Sequence, residues 1–481
     1  MPLRANLFDK LSGVYVIRKV TGAGKIATTL SVAAAAGATS MTLTSAADAA
    51  DKKILLIGAG DDYEAVVENG AAAGSVVTVF NGLKRAHAAG EVVYEGVAYD
   101  LGEVAQTKLS DSGERADLES DISRSPYGSR LGFLMYAIGG RMPSLDANHL
   151  AIALGMPFSA ITGAGTSADP TQLFTDGDDL GREPSFVVAA ALDEDANTIY
   201  EEMDGCDADY TKVSMPLSQG PDTGLNYQFT ARQHPRFVKG ALNFTPDATK
   251  RITKAQYPEA LLDAGFFELD GAGASTTLTA ATTVGGTVLA LTSGAGVAGG
   301  DWFLVEGGGF SQIVWAESLA ALNLTIRIRT KYIFPIGSTV KELKLVQPGG
   351  LKEGGTTFAI GGSVRPVRFD NARVQAGTRS GTARFSLGFA PTSFALETLR
   401  RRLGLPTSVM TSTILTINDL VGTDAPVGCY AKVQRKDGKT AWLIMNTAAN
   451  TIAALELALS KADMWAVPLE HVAKQVQYLQ Y

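Results

Sequence analysis

The sequence predicts a mainly β protein built from two tandem halves of like fold, each a β-sandwich or half-barrel with one short helix. Each half also carries a small inserted β-module. Three observations predict this arrangement: one stretch of the chain occurs twice, glycine contributes 52 of the 481 residues, and apolar residues alternate with polar ones over many short runs. Short alternating runs separated by glycine-rich turns are typical of β-strands.

The repeat is clearest between residues 28–93 and residues 276–341, which align without a gap at a shift of 248 positions. The identical pairs include Thr28 with Thr276, Gly37 with Gly285, and Val92 with Val340. Apolar positions between these identities also keep phase, which composition alone does not explain. An internal repeat of this kind marks a duplicated structural unit.

The duplication extends beyond this module. Leu154-Gly155-Met156-Pro157 is answered by Leu403-Gly404-Leu405-Pro406, and the alternating run 225–229 is answered by 467–471. We therefore predict four regions. Residues 1–27 and 99–250 form the first half, with its module at 28–98; residues 251–275 and 347–481 form the second half, with its module at 276–346.

The local pattern predicts the individual elements. A strand is expected at 14–17, and module strands are expected at 40–43, 53–57, 65–67, 76–80, 302–305, 312–315 and 324–328. Residues 144–154 are expected to form a short helix. Leu396, Leu399 and Leu403 follow one helical face after Pro391, and Gly404 ends that second predicted helix.

Two charged stretches, residues 102–130 and 346–377, have no strong period and are predicted to be long loops with a function of their own. The first is acidic and the second is basic, so complementary charge predicts contacts between copies of the chain. The predicted contact residues are Asp111, Glu114, Arg115, Asp117, Glu119, Asp121, Arg124, Lys352, Arg365, Arg368 and Arg373.

Composition limits the function. A net charge of −7 argues against a general nucleic-acid-binding surface, which needs clustered Lys and Arg. No apolar run is long enough to span a membrane, and the charged N-terminus does not resemble a signal peptide, so synthesis in a cytosol is expected. Cys206 and Cys429 occupy non-equivalent places in the two halves and are predicted to be buried thiols, although a disulfide between them stays open.

Motifs for catalysis or cofactors fail on inspection. Gly58-Ala59-Gly60 lacks the third glycine of a dinucleotide fingerprint. The acidic run beginning at Asp193 has Thr198 where a calcium loop needs glycine. His87, His149 and His234 have neither a nearby Cys nor a second His at metal-binding spacing. We therefore predict that the chain is not an enzyme and takes no cofactor or metal.

The order of elements resembles the major tail tube proteins of long-tailed bacteriophages, in a fused, double-copy form. The resemblance rests on a strand, a long charged stretch, an alternating strand, and then the segment from Asp146 to Gly155. It also rests on two later strands, 213–217 and 225–229, which are separated by a turn rich in Gly, Pro and Asp. The inserted modules resemble the immunoglobulin-like decorations that phage structural proteins carry on their outer surface.

This resemblance implies a β-sandwich whose inner strands join around a ring into a continuous barrel. Such rings usually contain six copies of the fold, so three chains with two copies each give a trimer with pseudo-sixfold symmetry. Rings stack into a tube through which DNA passes without specific binding, and the two charged stretches become the ring-to-ring contacts. The implied partners are further copies of the chain and the tape-measure, terminator and distal tail proteins of the virion. No membrane partner is implied.

A carbohydrate- or surface-binding β-repeat protein, such as a fibre or adhesin, is the alternative. It predicts clustered, exposed aromatic residues on the modules. Trp302 and Trp315 of the second module align with Ile54 and Val67 of the first, so the first module lacks the aromatic pair.

Overall fold

A computed structural model describes residues 11–58, 64–101, 105–120, 123–142, 144–176, 179–181, 183–192, 197–217, 224–231, 235–348, 356–361, 364–367, 377–380, 383–389, 396–397, 400, 411, 427–446, 449–450, 469–473 and 475–481. Strands make up 52% of the chain against a single named helix among these residues, which confirms the predicted mainly β fold. One sheet curls into a half-barrel, and several other sheets accompany it.

The strands before residue 250 are β1 (Leu11–Val20), β2 (Ala27–Thr29), β3 (Ser40–Thr42), β4 (Ile54–Ile57), β5 (Glu64–Val67), β6 (Val76–Thr78), β7 (Val92–Asp100), β8 (Ala105–Ser120), β9 (Ser123–Met142), β10 (Ile161–Thr162), β11 (Thr171–Asp176), β12 (Ser185–Leu192), β13 (Thr198–Ala208), β14 (Ser214–Pro216), β15 (Leu225–Ala231) and β16 (Arg236–Lys239). Helix α1 spans Ala147–Leu154, and short 3₁₀ helices span Phe158–Ala160, Tyr210–Lys212, Ala248–Lys250 and Lys254–Gln256.

The strands after residue 250 are β17 (Pro258–Leu269), β18 (Ser275–Thr277), β19 (Val288–Ala290), β20 (Trp302–Gly307), β21 (Phe310–Ala320), β22 (Asn323–Ile326), β23 (Thr339–Val346), β24 (Thr357–Gly361), β25 (Val364–Val367), β26 (Gly377–Ser380), β27 (Arg384–Phe389), β28 (Gly428–Arg435), β29 (Thr440–Asn446), β30 (Ala449–Asn450), β31 (Leu469–Ala473) and β32 (Gln475–Gln480). The strands expected at 14–17 and within both modules all overlap observed strands.

The same succession of strand pairings occurs in both halves. In the first half, β1 lies between β7 and β12, and β12 pairs with β13, which pairs with β16. In the second half, β17 lies between β23 and β28, and β28 pairs with β29, which pairs with β32. The series β8, β9 and β15 likewise corresponds to β24, β27 and β31.

The two modules share a hydrogen bond between equivalent threonine side chains. The hydroxyls of Thr29 and Thr44 lie 2.8 Å apart, and those of Thr277 and Thr292 also lie 2.8 Å apart. The gapless alignment is nevertheless wrong at its end. Met41 pairs with Val77, whereas Leu289 pairs with Leu324, so the second module is one residue shorter after β21 begins. Val340 therefore corresponds to Val93, not to Val92, because both are fully buried in their module cores.

The prediction that residues 102–130 and 346–377 form long loops is wrong, because much of their described backbone is strand. Strands β8 and β9 form one long antiparallel hairpin that ends with Ser120 opposite Ser123. In the second stretch, β24 pairs with β27, and β25 pairs with β26. Main-chain pairing therefore supplies the order that the side-chain pattern did not predict.

The predicted helix at 144–154 is confirmed as α1. The Asp146 side chain caps its N-terminus by accepting from Asn148 N at 2.9 Å, and Gly155 ends it in a left-handed conformation with a φ of 63°. In the second half, Leu396, Glu397 and Arg400 are helical, and the other residues of the second predicted helix lie outside the described residues. Helix α1 packs within a core that takes buried side chains from both halves, including Val16, Phe229, Phe266 and Tyr478.

Candidate assembly interface

The two halves are joined first through the edge of β32. Strand β11 of the first half pairs along all of β32 of the second half, from Thr171 opposite Gln480 to Asp176 opposite Gln475. The hairpin of β10 and β11 follows α1 in the chain, so the helix and this hairpin reach the second half together. Main-chain pairing of this kind extends a sheet across a boundary between domains.

A second strand of the first half joins another edge. Strand β14 pairs with β24 and places Met215 opposite Phe358, both of them buried in the shared core. The contact continues at its ends, where Leu217 N donates to Thr356 O at 2.9 Å and Ile360 N donates to Val213 O at 3.0 Å. The halves therefore share two main-chain seams and one apolar core.

A buried arginine fixes the helix at this joint. Arg435 of β28 donates from Nη1 to Leu145 O at 3.0 Å and forms an ion pair with Asp146 Oδ2 at 3.3 Å. Tyr478 of β32 donates its hydroxyl to the same carbonyl of Leu145 at 3.1 Å. Two side chains of the second half thus bind the N-terminus of α1 in the first half.

The local electrostatics favour this ion pair. Burial alone raises the pKa of Asp146, but His149, the Asn148 amide and Arg435 lower it below its ordinary value. Burial depresses the pKa of His149 to about 4, so its ring is neutral at pH 7, with Nδ1 2.8 Å from Ser144 Oγ. At neutral pH, the Asp146 carboxylate therefore faces Arg435 as its charged partner in this buried contact.

The second module also binds the first half. Gln172 of β11 donates to Arg327 O at 2.8 Å and accepts from Arg329 N at 2.9 Å. Two ion pairs flank this contact: Arg329 with Asp169 at 2.8 Å, and Lys331 with Asp179 at 2.8 Å. The first module is held differently, because Lys84 forms ion pairs with Asp204 at 2.6 Å and Glu202 at 3.3 Å in its own half.

The equivalent edges of the first half are not paired in the described part of the chain. Strand β16 corresponds to β32 and pairs only with β13, and β8 corresponds to β24 and pairs only with β9. Phe237 of β16 is 51% exposed, whereas Tyr478 at the equivalent place in β32 is fully buried. Among the described strands, the first half thus leaves without a second partner the edges of β16 and β8, which are equivalent to the two edges that it covers in the second half.

The predicted charged contacts are only partly described. Asp111, Glu114, Arg115, Asp117 and Glu119 lie on β8, Arg124 lies on β9, and Arg365 lies on β25, with their backbones alone described. Asp121, Lys352, Arg368 and Arg373 lie outside the described residues. The four described acidic residues therefore lie on one hairpin. Their contact with the basic residues stays a prediction.

A buried charged cluster in the first module was not predicted from the sequence. His87 Nε2 lies 3.1 Å from Glu64 Oε2, and His87 Nδ1 lies 2.8 Å from Glu91 Oε2. Glu64 also accepts from Lys84 N at 2.5 Å. In the second module, the buried Gln312 takes the place of Glu64 and accepts from Lys331 N at 2.9 Å. Spacing did not reveal the cluster, because its members lie 23 and 4 residues apart along strands and turns.

The motifs tested for other chemistry give no site among the described residues. Cys206 and Cys429 are free and buried, as predicted, and burial raises the pKa of both thiols. Within the ranges given above, no three His, Cys, Asp or Glu side chains are arranged to hold a metal ion. No helix in those ranges is long and apolar enough to cross a membrane. The run 193–196 and residues 59–60 lie outside them.

The two tryptophans of the second module pack against each other and do not form an exposed aromatic cluster. Trp302 and Trp315 stack at 5.2 Å with an angle of 6° between their planes, and Trp302 is buried. The guanidinium of Arg327 lies 4.1 Å from the Trp315 ring centre. Comparison with known proteins adds no further assignment: no protein-family model matches the sequence, and no curated protein matches it.

Proposed function

We propose that this chain is a structural virion protein that forms stacked rings of three chains and so builds the tail tube of a long-tailed bacteriophage. One observation supports the proposal most directly. The first half covers the outer edges of β32 and β24 in the second half, while the equivalent edges of β16 and β8 are unpaired in the described part of the chain. A neighbouring chain can therefore repeat between molecules the joint that each chain makes within itself.

Such a contact is heterologous, because a different surface is used on each side. Heterologous contacts generate rings when the rotation closes, and open helical filaments when it does not. A closed ring leaves no free strand edge, which prevents uncontrolled edge-to-edge growth. With two halves per chain, three chains supply the six units that the family resemblance implies.

The charge of the chain supports the proposed conduit role. The net charge of −7 suits a bore that repels phosphate and lets DNA slide during ejection. We propose that acidic residues on alternating strand positions line this bore, and that both modules lie on the outside. An electropositive bore in the assembled tube would contradict this part of the proposal.

Negative-stain imaging with native mass spectrometry of the purified protein tests the proposal. We expect rings or tubes about 100 Å wide, the width that six domains of ordinary size give around a bore. Native mass spectrometry should give closed species of three chains of 50.4 kDa each. Monomers at all concentrations, with binding to glycans, would instead favour the fibre or adhesin function.

A further inference from the structure

We infer that Phe237 anchors the contact between chains, and that it docks against the helix-bearing second half of another copy of this chain. The inference rests on the proposed ring assembly and names the contact that forms it. The joint between the two halves of one chain is the template for this contact.

Strand register makes Phe237 the counterpart of Tyr478. Phe237 pairs with Glu201 across β16 and β13, and Tyr478 pairs with Leu443 across β32 and β29. The next pairing inward matches as well, with Met203 opposite Val187 in the first half and Met445 opposite Cys429 in the second. The two aromatic residues therefore occupy the same position on the same strand of the duplicated fold.

The two residues differ in whether another part of the chain covers them. Tyr478 is opposite Leu173 of β11, donates to Leu145 O at 3.1 Å and is fully buried with residues of α1. Phe237 has half of its surface in solvent. Edge strands commonly carry charged side chains, and Arg236 and Lys239 are such residues on β16. Phe237 between them instead exposes an apolar ring at the position that Tyr478 buries in the second half.

The backbone of β16 is oriented to accept a strand. Gly240 N donates to Thr198 O at 2.9 Å, which makes residues 240, 238 and 236 face β13 in the antiparallel ladder. The N–H and C=O of Phe237 therefore point away from β13. In β32, Thr440 and Tyr481 exchange their hydrogen bonds, so Tyr478 points its own groups toward β11. Phe237 thus offers the same main-chain groups that Tyr478 uses.

The second half of another copy is the partner that this geometry fits. The element covering Tyr478 is the α1 region of the first half, and its counterpart in the second half is helical at Leu396, Glu397 and Arg400. That helix is tied to its own sheet, because Arg400 Nη2 lies 3.3 Å from Glu268 Oε1 on β17. A second half can therefore present a supported helix to β16, as the first half presents α1 to β32.

Substitution with a matched control tests the anchor. Phe237→Lys should raise the apparent dissociation constant for ring formation about a hundredfold, as loss of a central aromatic anchor does, with an unchanged unfolding midpoint. Phe310→Lys is the control, because Phe310 is 47% exposed but lies on the second module. Phe237→Tyr, which copies Tyr478, should retain assembly. Rings from Phe237→Lys at wild-type concentrations would overturn the inference while leaving the proposed function intact.

Photo-cross-linking distinguishes a failure of the Phe237 contact from a failure of the proposed tube function. Benzoylphenylalanine placed at position 237 should cross-link to the second half of a different chain, in peptides that include Leu396–Arg400. That result would support the contact even if the wild-type protein formed no tube. Cross-links confined to the same chain, or to a module of another chain, would overturn the inference.

Discussion

In each half, an arginine joins the equivalent strand to the equivalent helix, but it lies on the strand in the first half and on the helix in the second half. Arg18 on β1 donates to Ala151 O at 3.2 Å and Met156 O at 3.1 Å in the first half. In the second half, Glu268 takes the strand position of Arg18, and Arg400 on the helix reaches it. The contact has survived the duplication although its residues have changed places, so comparison of the two sequences alone does not reveal it.

The ion pair at the joint gives a test of coupling between the halves. Arg435→Met leaves the Asp146 carboxylate and Leu145 O without their cation, so we expect a loss of about 3–5 kcal/mol in the free energy of unfolding. Adding Asp146→Asn keeps the helix cap and removes the unpaired charge, so the double variant should recover part of the loss. Urea unfolding measures all four proteins as a double-mutant cycle. Additive effects would show that the two side chains do not interact.

His149 predicts a loss of stability in acid. Burial depresses its pKa from 6.5 to about 4, so the unfolded chain binds the proton more readily than the folded chain. Its stabilising contribution is therefore present above pH 6.5 and is lost as the pH falls toward 4. The full effect is about 3 kcal/mol at 1.36 kcal/mol per pKa unit. His149→Gln should flatten this part of the pH profile of urea unfolding. An unchanged acid slope in the variant would contradict the assignment.

His87 predicts the opposite dependence in the first module. Burial alone lowers its pKa, but hydrogen bonds with Glu64 and Glu91 raise it above the ordinary value. Its contribution is therefore present below pH 6.5 and is lost as the pH rises through the folded pKa. For Glu64, burial alone raises the pKa, but hydrogen bonds from His87 and Lys84 N lower it, so its contribution holds throughout the range from pH 5 to 8.

A module-exchange variant isolates the His87 effect. Glu64→Gln with His87→Phe installs the residues that the second module carries as Gln312 and Phe334. Calorimetry between pH 5 and pH 8 should show the wild-type protein losing stability relative to this variant as the pH rises. Glu68, whose pKa burial raises to about 7, is present in both proteins and cancels in the difference. A constant difference across the range would sink the prediction.

At the scale of single elements, β14 tests whether strand addition holds the halves together. Met215 is fully buried opposite Phe358, so Met215→Asp places an unpaired charge within the seam and should cost about 4 kcal/mol of unfolding free energy. Val76→Asp on β6 is the control, because Val76 is 39% exposed and its replacement should change stability by less than about 0.5 kcal/mol. Equal effects in denaturant unfolding would show that the seam carries little energy.

Sequence periodicity predicted the elements that bury one face. The module strands and α1 follow from alternating or helical apolar spacing, as with Leu55 and Ile57 in the module core. The β8–β9 hairpin was missed because its outer part is polar on successive residues, and main-chain pairing leaves no apolar period to read. The sequence also did not predict that Phe237 is exposed, because its exposure depends on how β16 pairs with β13. Its comparison with Tyr478 requires the structural equivalence of two strands about 240 residues apart.

At the scale of the whole molecule, one chain both provides and accepts the same contact. The first half supplies α1, β11 and β14 to the second, and its own edges at β16 and β8 await equivalent elements in the proposed ring. Fusion makes one joint intramolecular, which gives it a high effective concentration and leaves only three contacts between chains per ring. In that proposed ring, we expect each remaining contact to be made by main-chain pairing and apolar packing rather than by surface charge.

Ring closure and ring stacking should therefore differ in their response to salt. The proposed stacking contacts are charged, with an acidic group around β8 and a basic group around β25, and exposed charges are screened when the Debye length falls from about 10 Å at 0.1 M to about 3 Å at 1 M salt. Apolar packing like that of Met215 and Phe358 is not weakened by screening. We expect 1 M salt to convert tubes into separate rings of three chains, measured by imaging and by sedimentation. Linear stacks of single chains without closed rings would reverse the assignment of charged stacking and apolar closure.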